Sequence, residues 1–436
     1  MSKETVITAI DVGTDKCVTL IGAVAEESHQ LRLAGVAAVP SRGMKKSVIV
    51  DLEAVLSSIE QSLNAAERMA GLSVTSAYLS VSGNHIRSKN SKGVVAVANP
   101  DQEITPEDVS RVIEAARAVS IPSEREIIHV IPRYFKVDSQ DGIRDPVGMT
   151  GVRLESEAHI ITGLSTSLKN LKKCVMDLGV TVEGFVFSGL AASQVTLTET
   201  EKELGVVALD IGAGTSSFCV YVDGALEYSG SLPIGARHIT QDIAVGCRIS
   251  LDNAEKLKIA LSKQGEIRIK PRPGESKKDF TLRKKQEERI DLAQLGIDEK
   301  VDNLNRSGLI KGIMMPRMKE IVEMLGQQLV EQKLLTEIPV GVVLSGGGAE
   351  TVGFPEVVKS VLRLPARIGY PADLAGLVGE VKAPTYATSV GLLYYAKKQG
   401  AGEQSGQGFD FSGLINNLKL GKAGKKLIDL IKSLLP

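Results

Sequence analysis

The chain has 436 residues, enough for about two to four domains and a large core. Apolar residues make up 43% and charged residues 24%, the ordinary proportions of a globular protein, while Lys+Arg balances Asp+Glu at 52 each, which argues against a general nucleic-acid binder. The four cysteines, Cys17, Cys174, Cys219 and Cys247, show neither C-x-x-C nor metal-ligand spacing and read as reduced core residues of a cytoplasmic protein. No signal peptide is evident and no apolar run approaches about 18 residues, so any membrane contact is expected to be peripheral.

From Val6 to Gly22 two apolar runs flank a turn holding Asp11, Gly13, Thr14, Asp15 and Lys16. This pattern predicts a β-hairpin with an acid where its first strand stops. Asp51 is placed to cap a helix whose Leu52, Val55, Leu56, Ile59 and Leu63 recur at helical spacing and supply core contacts. After a strand at Ser76–Gly83 the character shifts, and an inserted subdomain is predicted to about residue 162, with Thr105 capping a helix opened by Pro106. A core strand resumes at Ala158–Gly163, and Glu199–Gly205 leads into a second copy of the first hairpin. There a buried strand ends at Asp210 and is followed by Gly212, Ala213, Gly214, Thr215 and Ser216. The glycines are expected to take positive φ and bring N–H groups to an anion, Thr215 to add a hydroxyl, and Asp210 to hold a water of a bound cation. Ser217–Gly224 then alternates as a strand instead of opening a helix, which excludes a Rossmann or Walker loop. The repeat implies a duplication, with Asp11 and Asp210 equivalent and a nucleotide clamped between two similar lobes.

Further on, a helix is expected from His238, and Ser250 is placed to cap another with Glu255 and Lys258 on one face. Residues 263–300 alternate in charge and read as a solvated face. Arg317 and Glu320 fall together on a later helix. Val340–Ser345 is a strand entering Gly346, Gly347 and Gly348, which let backbone lie flat against a planar ring, and a helix is expected from about Glu350. A core helix at Ala383–Lys398 is followed by a flexible linker, Gly400–Gly408. In the tail Leu427, Ile428, Ile431, Leu434 and Leu435 gather opposite Lys425, Lys426 and Lys432. At about 1.5 Å per residue this helix is too short to span a bilayer, but its two faces suit an anionic membrane surface.

Two Asp-x-Gly hairpins followed by the Ser345–Ala349 glycine turn, in this order, resemble the actin, sugar-kinase and heat-shock-chaperone superfamily. Between the hairpins, Tyr134 to Asp138, Ile143 to Gly151 and His159 to Gly163 have the pattern Tyr-x-x-x-Asp, Ile-x-Asp-Pro-x-Gly-Met-x-Gly and His-x-Ile-Thr-Gly. With these the chain is similar to the FtsA family of bacterial cell-division proteins from residue 4 to about 397, except at 263–300, with a characteristic tail beyond. The resemblance implies an α/β, actin-like two-lobed fold of duplicated ribonuclease-H-like domains, with an inserted 1C-type subdomain and a C-terminal amphipathic helix. The core of lobe I (subdomain 1A) would then occupy 1–82 and 163–205 around the insertion at 83–162, and that of lobe II (2A) would occupy 206–244 and 340–382 around 2B at 245–339. Residues 383–398 would return to lobe I, 399–412 would form the linker and 413–436 the membrane-targeting tail.

The same resemblance implies Mg-ATP. Asp11 and Asp210 would hold Mg through water, Asp15, Lys16, Ala213, Ser216 and the other hairpin residues named above would surround the phosphates, Glu255 and Lys258 would hold ribose and adenine, and Gly346–Gly348 would lie beside the adenosine. Arg317 and Glu320 resemble the place that receives the C-terminal peptide of FtsZ. Expected partners are that peptide, further copies in a filament, other divisome proteins and the anionic cytoplasmic face of the cell membrane at the septum, with no nucleic acid. Where related proteins carry an acid or amide before the second hairpin this chain has Ser188, so at most slow ATP hydrolysis is expected and no catalytic residue is assigned. Two other readings compete. A PilM-like adaptor of type IV pilus assembly ordinarily lacks the linker and basic tail helix, and an actin-fold phosphotransferase or ATPase needs a catalytic base.

Overall fold

The computed structural model describes residues 4–25, 30–99, 101, 103–265, 270–299, 304–371, 374–376, 379 and 381–402. The proposed tail residues, Lys425, Lys426, Leu427, Ile428, Ile431, Lys432, Leu434 and Leu435, lie outside the described residues. The described residues form two compact units, one within 1–88, 122–128 and 161–395, the other within 89–121 and 129–160 with the residues from Ala396.

The first unit holds two sheets of like design. One is six-stranded, in the order Thr181–Phe187, Ser76–Val81, Glu4–Val12, Lys16–Ala25, Leu31–Pro40, Ala375–Gly376. The other is five-stranded, in the order Ala225–Leu232, Ser216–Val222, Val206–Ile211, Gly341–Ser345, Ala366–Ile368. In each, the two strands of the predicted hairpin pair antiparallel, placing Asp11 opposite Val18 and Asp210 opposite Ser217. Each acid-bearing strand also has a parallel neighbour, Ser76–Val81 or Gly341–Ser345. Because helices cover both faces of such strands, they read as continuous apolar runs, and Val206, Val207, Ala208 and Leu209 are all buried. Around the second sheet Leu209, Phe218, Ile239, Met318, Leu325 and Phe354 form one core. Around the first, Val18, Leu20, Val186, Leu392 and Leu393 form another.

Helix ends follow local chemistry. Asp51 accepts from the N–H of Ala54 and Gly71, at φ 66°, closes the helix Leu52–Ala70. Val55, Ile59 and Leu63 are buried as expected, whereas Leu52, in the first turn, is 37% exposed. Three expected helix boundaries are corrected. The helix expected from His238 starts at Ala236, because the His238 ring turns back and accepts the N–H of Gly235. The helix expected from Glu350 begins at Phe354, since Gly347–Glu350 is a short 3-10 turn and Gly353 sits at φ 84°. The closing helix Ala387–Gly402 continues into the stretch read as linker, because a glycine in a helix costs only about 1 kcal/mol.

In the charged stretch Ser276 caps a helix with no buried residue, Lys277–Glu287, in keeping with a solvated face. Arg283 pairs there with Glu275 and Glu287. Near its end Glu299 accepts from the N–H of Ser250 and the side-chain amide of Asn253, fixing the start of the helix Leu251–Gln264.

The second unit is built on a four-stranded sheet, ordered Arg87–Ala96, Arg153–Leu164, Arg125–Val137, Gln140–Ile143. Thr105 and Asp108 form a capping box on its helix Pro106–Arg117. His129 and His159 are buried in it, and Asn90 lies 2.6 Å from Nδ1 of His159. All four cysteines are buried and free. Among the described residues no helix is long and apolar enough to cross a membrane.

Candidate functional site

Both hairpin turns of the first unit close in the same way, Gly13 N–H donating to Lys16 O and Gly212 N–H to Thr215 O, each at 3.0 Å. The expected positive φ does not occur at Gly212 or Gly214; among the described glycines near the cleft it occurs at Gly346, at 79°. Glycine is required at the turns by close approach instead. A Cβ on Gly13 would lie 2.9 Å from Lys16 O, and one on Gly214 would lie 2.6 Å from Oγ1 of Thr14.

The hairpins face a cavity of about 510 Å³. It is lined by Asp11, Gly13, Thr14, Asp15 and Lys16 from the first, and by Asp210, Gly212, Ala213, Gly214 and Thr215 from the second. Ser216 turns away, its buried hydroxyl donating to Ile234 O at 2.8 Å. Strand alternation explains this, since successive side chains point to opposite faces.

The acids are held as a matched pair. Asp11 Oδ1 accepts from Ser80 at 2.5 Å and Oδ2 from Ser389 at 3.2 Å. Asp210 Oδ1 accepts from Ser345 at 3.0 Å and Oδ2 from Thr388 at 3.1 Å. Ser80 and Ser345 stand on the equivalent parallel strands, while neighbouring residues of one helix, Thr388 and Ser389, reach the two different acids. Burial raises the pKa of Asp11, opposed by Ser80, Lys16 and Ser389. Asp210 is pushed up to about 6, first by burial and then by the charge of Asp11, against the hydrogen bonds from Ser345 and Thr388. Lys16 is shifted down by burial, opposed by Asp11, Asp15, Asp210 and Glu350. Its ammonium donates to Thr385 Oγ1 at 2.7 Å and Thr385 O at 3.0 Å and lies 4.1 Å from the centre of the Tyr386 ring.

Also on the cavity wall, Lys258 Nζ lies 2.8 Å from Glu255 Oε2 and 3.0 Å from Thr240 Oγ1. The pair is no ordinary surface pair, because both residues line the cavity and Lys258 is buried. Gly346, Gly347 and Gly348 also line it. Only Gly347 of the three is exposed; a Cβ on Gly348 would lie 2.3 Å from Cγ2 of Ile211, so packing on the strand end requires that glycine. Ser188 lines the cavity as well, with its hydroxyl donating to Ser217 at 2.9 Å. Sequence reasoning missed Ser47, Ser82, Arg237, Thr240, Thr385 and Thr388 in the lining. Their hydroxyls and charges come from remote segments and carry no local signature, although adjacent Thr388 and Ser389 on the closing helix were a readable hint.

Arg317 and Glu320 do pair, on the helix Met315–Glu331. Arg317 is also gripped by Asp242 through Nε at 2.6 Å and Nη2 at 2.9 Å, a partner far off in sequence.

Duplicated sheets that each present an acid-bearing hairpin to one cleft, with a single helix touching both acids, define an actin-like protein. The fold is shared with a chain of the PilM-PilN type IV pilus biogenesis complex, at TM-score 0.61 and 14% identity over 90% of this chain and 98% of that one. It is shared too with MreB 5 of Spiroplasma citri bound to AMPPNP, at TM-score 0.51 and 12% identity over 91% and 97%. Residues 83–162 match the family described as SHS2 domain inserted in FTSA, and residues 207–391 match cell division protein FtsA. The chain is 36% identical to cell division protein FtsA of Pseudomonas aeruginosa over 91% of its own length and 90% of the relative's, and 37% identical to that of Borreliella burgdorferi over 90% and 91%. This chain belongs to the FtsA family of cell division proteins, with an actin-like fold.

Proposed function

We propose that the chain binds Mg-ATP in the cleft and, in that state, assembles with copies of itself and tethers FtsZ filaments to the cytoplasmic face of the membrane at the septum. The observation that carries the nucleotide reading is the opposed pair Asp11 and Asp210, each fixed by two hydroxyls beside glycine turns, with Lys16 nearby. A divalent cation fits this pair. Two acids that burial pushes toward protonation, Asp210 further through the charge of Asp11, are relieved by a cation, and no group of three or more His, Cys, Asp or Glu that could hold a metal is found among the described residues. That favours a hydrated ion completed by phosphate oxygens, as for Mg, over a protein cage. When bound, Mg would neutralise phosphate charge, with Asp11 and Asp210 holding its waters.

Lys16 is placed to meet phosphate charge, and Glu255 and Lys258 to meet ribose and adenine. The Ser188 hydroxyl, already donated to Ser217, makes a poor base, which supports slow turnover. Arg317, with Glu320, offers a charged place for the FtsZ peptide, and the tail beyond the described residues offers an amphipathic anchor. Membership of the FtsA family favours this reading over a pilus adaptor, whose similarity is one of fold. Titration of fluorescent ATP in magnesium tests the nucleotide assignment. Asp210→Ala is expected to weaken binding at least tenfold, and equal affinity for variant and wild type would refute it.

A further inference from the structure

Met44–Lys45 and Val48–Ile49 form a small hairpin whose connecting residues, Lys46 and Ser47, have φ of 48° and 60°. Consecutive left-handed residues of this kind ordinarily are Asn-Gly or Gly-Gly, so lysine and serine are strained there. Ser47 is held from three directions. Its N–H donates to Thr14 Oγ1 at 3.1 Å, its hydroxyl lies 2.9 Å from that of Thr215, and the Ser82 hydroxyl donates to it at 2.8 Å.

Thr14 and Thr215 belong to the two opposed hairpins, and Ser47 and Ser82 line the cavity with Asp11 and Asp210. The turn lies directly on the second hairpin, since a Cβ on Gly214 would come within 3.0 Å of the Lys46 Cα. Glycine at position 47 would relieve the strain at that residue, yet the chain keeps a side chain whose hydroxyl lines the cleft. Three hydroxyls therefore satisfy one another where the hairpins meet, and each can re-aim its proton toward a stronger acceptor. An ionised phosphate oxygen is such an acceptor.

We propose that Ser47 reads the terminal phosphate of the nucleotide and so sets the preference for a nucleoside triphosphate over a diphosphate. This rests on the assignment of the cleft to a nucleotide. A triphosphate reaching the mouth of the hairpins takes the Ser47 hydroxyl, whereas a diphosphate leaves it on Thr215. The turn carrying Ser47 then differs between the two states, which gives the protein a direct readout of its nucleotide.

The test is titration of the full chain in magnesium with N-methylanthraniloyl-labelled ATP and ADP, for wild type, Ser47→Ala and Ser47→Gly. Both variants are expected to lose about tenfold of the preference for ATP while binding ADP as wild type does. The glycine variant accepts the left-handed conformation at position 47 more readily than serine and so guards against misfolding. A parallel loss for both nucleotides would make the turn only a scaffold and overturn the proposal. So would an unchanged preference, or a preference lost in the alanine variant and restored in the glycine one. A wild type that binds neither nucleotide would overturn the cleft assignment itself.

Discussion

If Asp210 is kept for a ligand, it should weaken the protein when the ligand is absent, and Asp210→Asn should stabilise the nucleotide-free chain. Burial and the neighbouring Asp11 raise the Asp210 pKa from 3.8 to about 6. The folded state therefore holds the proton more tightly than the unfolded one. Stability falls as pH rises from 3.8 toward 6, and above that the loss is complete. At about 1.4 kcal/mol for each tenfold in proton affinity, the loss at pH 7.5 is up to about 3 kcal/mol. It is an upper value because the cleft side of the carboxylate keeps some solvent. Asparagine removes the charge and keeps the shape. Its oxygen can accept from one of Ser345 and Thr388 and its amide can donate to the other once that hydroxyl rotates. Thermal denaturation without nucleotide at pH 7.5 should give a Tm higher by roughly 3–4 °C for the variant. At pH 5 the difference in stability should shrink to about half, because wild-type Asp210 is then largely protonated. Added Mg-ATP should raise the Tm of wild type and leave the variant nearly unmoved. A variant less stable than wild type at pH 7.5, or a difference that does not shrink on acidification, would show that the Asp210 carboxylate does not weaken the nucleotide-free fold.

Burial pushes His129 and His159 down to about 3, so both stay neutral in the folded state, and the stability this gives is present above pH 6.5 and lost as pH falls toward 3. At pH 5 each should cost about 2 kcal/mol, and His129→Leu should remove about half of that acid sensitivity in denaturant midpoints at pH 7.5 and 5; an unchanged pH dependence would contradict this. Arg317→Glu sets a negative charge beside Asp242 and Glu320, and anisotropy titration should show the FtsZ C-terminal peptide binding about tenfold more weakly, more than the loss of an exposed pair worth about 0.2–1 kcal/mol would give. Leu427→Glu or Ile431→Glu should abolish co-sedimentation with anionic liposomes and leave ATP binding intact, and undiminished sedimentation would show that the tail is not the anchor.

The parts of the fold that were legible in the sequence are those set by short-range pattern. Asp11 and Asp210 could be paired by reading alone, because each ends an apolar run before a glycine turn and a second alternating run. Thr105, Asp51 and Ser250 announced their helices for the same reason, since a cap acts within one turn. What was not legible depends on contacts across the chain. Nothing local marks Ser47, whose value comes from Thr14, Thr215 and Ser82, or Asp242, whose role comes from Arg317. The glycine turns were read correctly as turns but for the wrong reason, since crowding by Lys16 O and Thr14, and not positive φ, demands them. The early start of the helix at Ala236 had a cause that propensity does not describe, a histidine ring serving as the cap.

If the chain couples FtsZ polymer to a membrane, as proposed, a flotation assay should show it. FtsZ filaments are mixed with anionic liposomes and Mg-ATP, with and without this protein, and liposome-bound material is separated by flotation. FtsZ should float with the liposomes when the protein is present and remain below when it is absent, or when Leu427→Glu replaces it. FtsZ that stays below in the presence of the wild-type chain would overturn the proposed tethering.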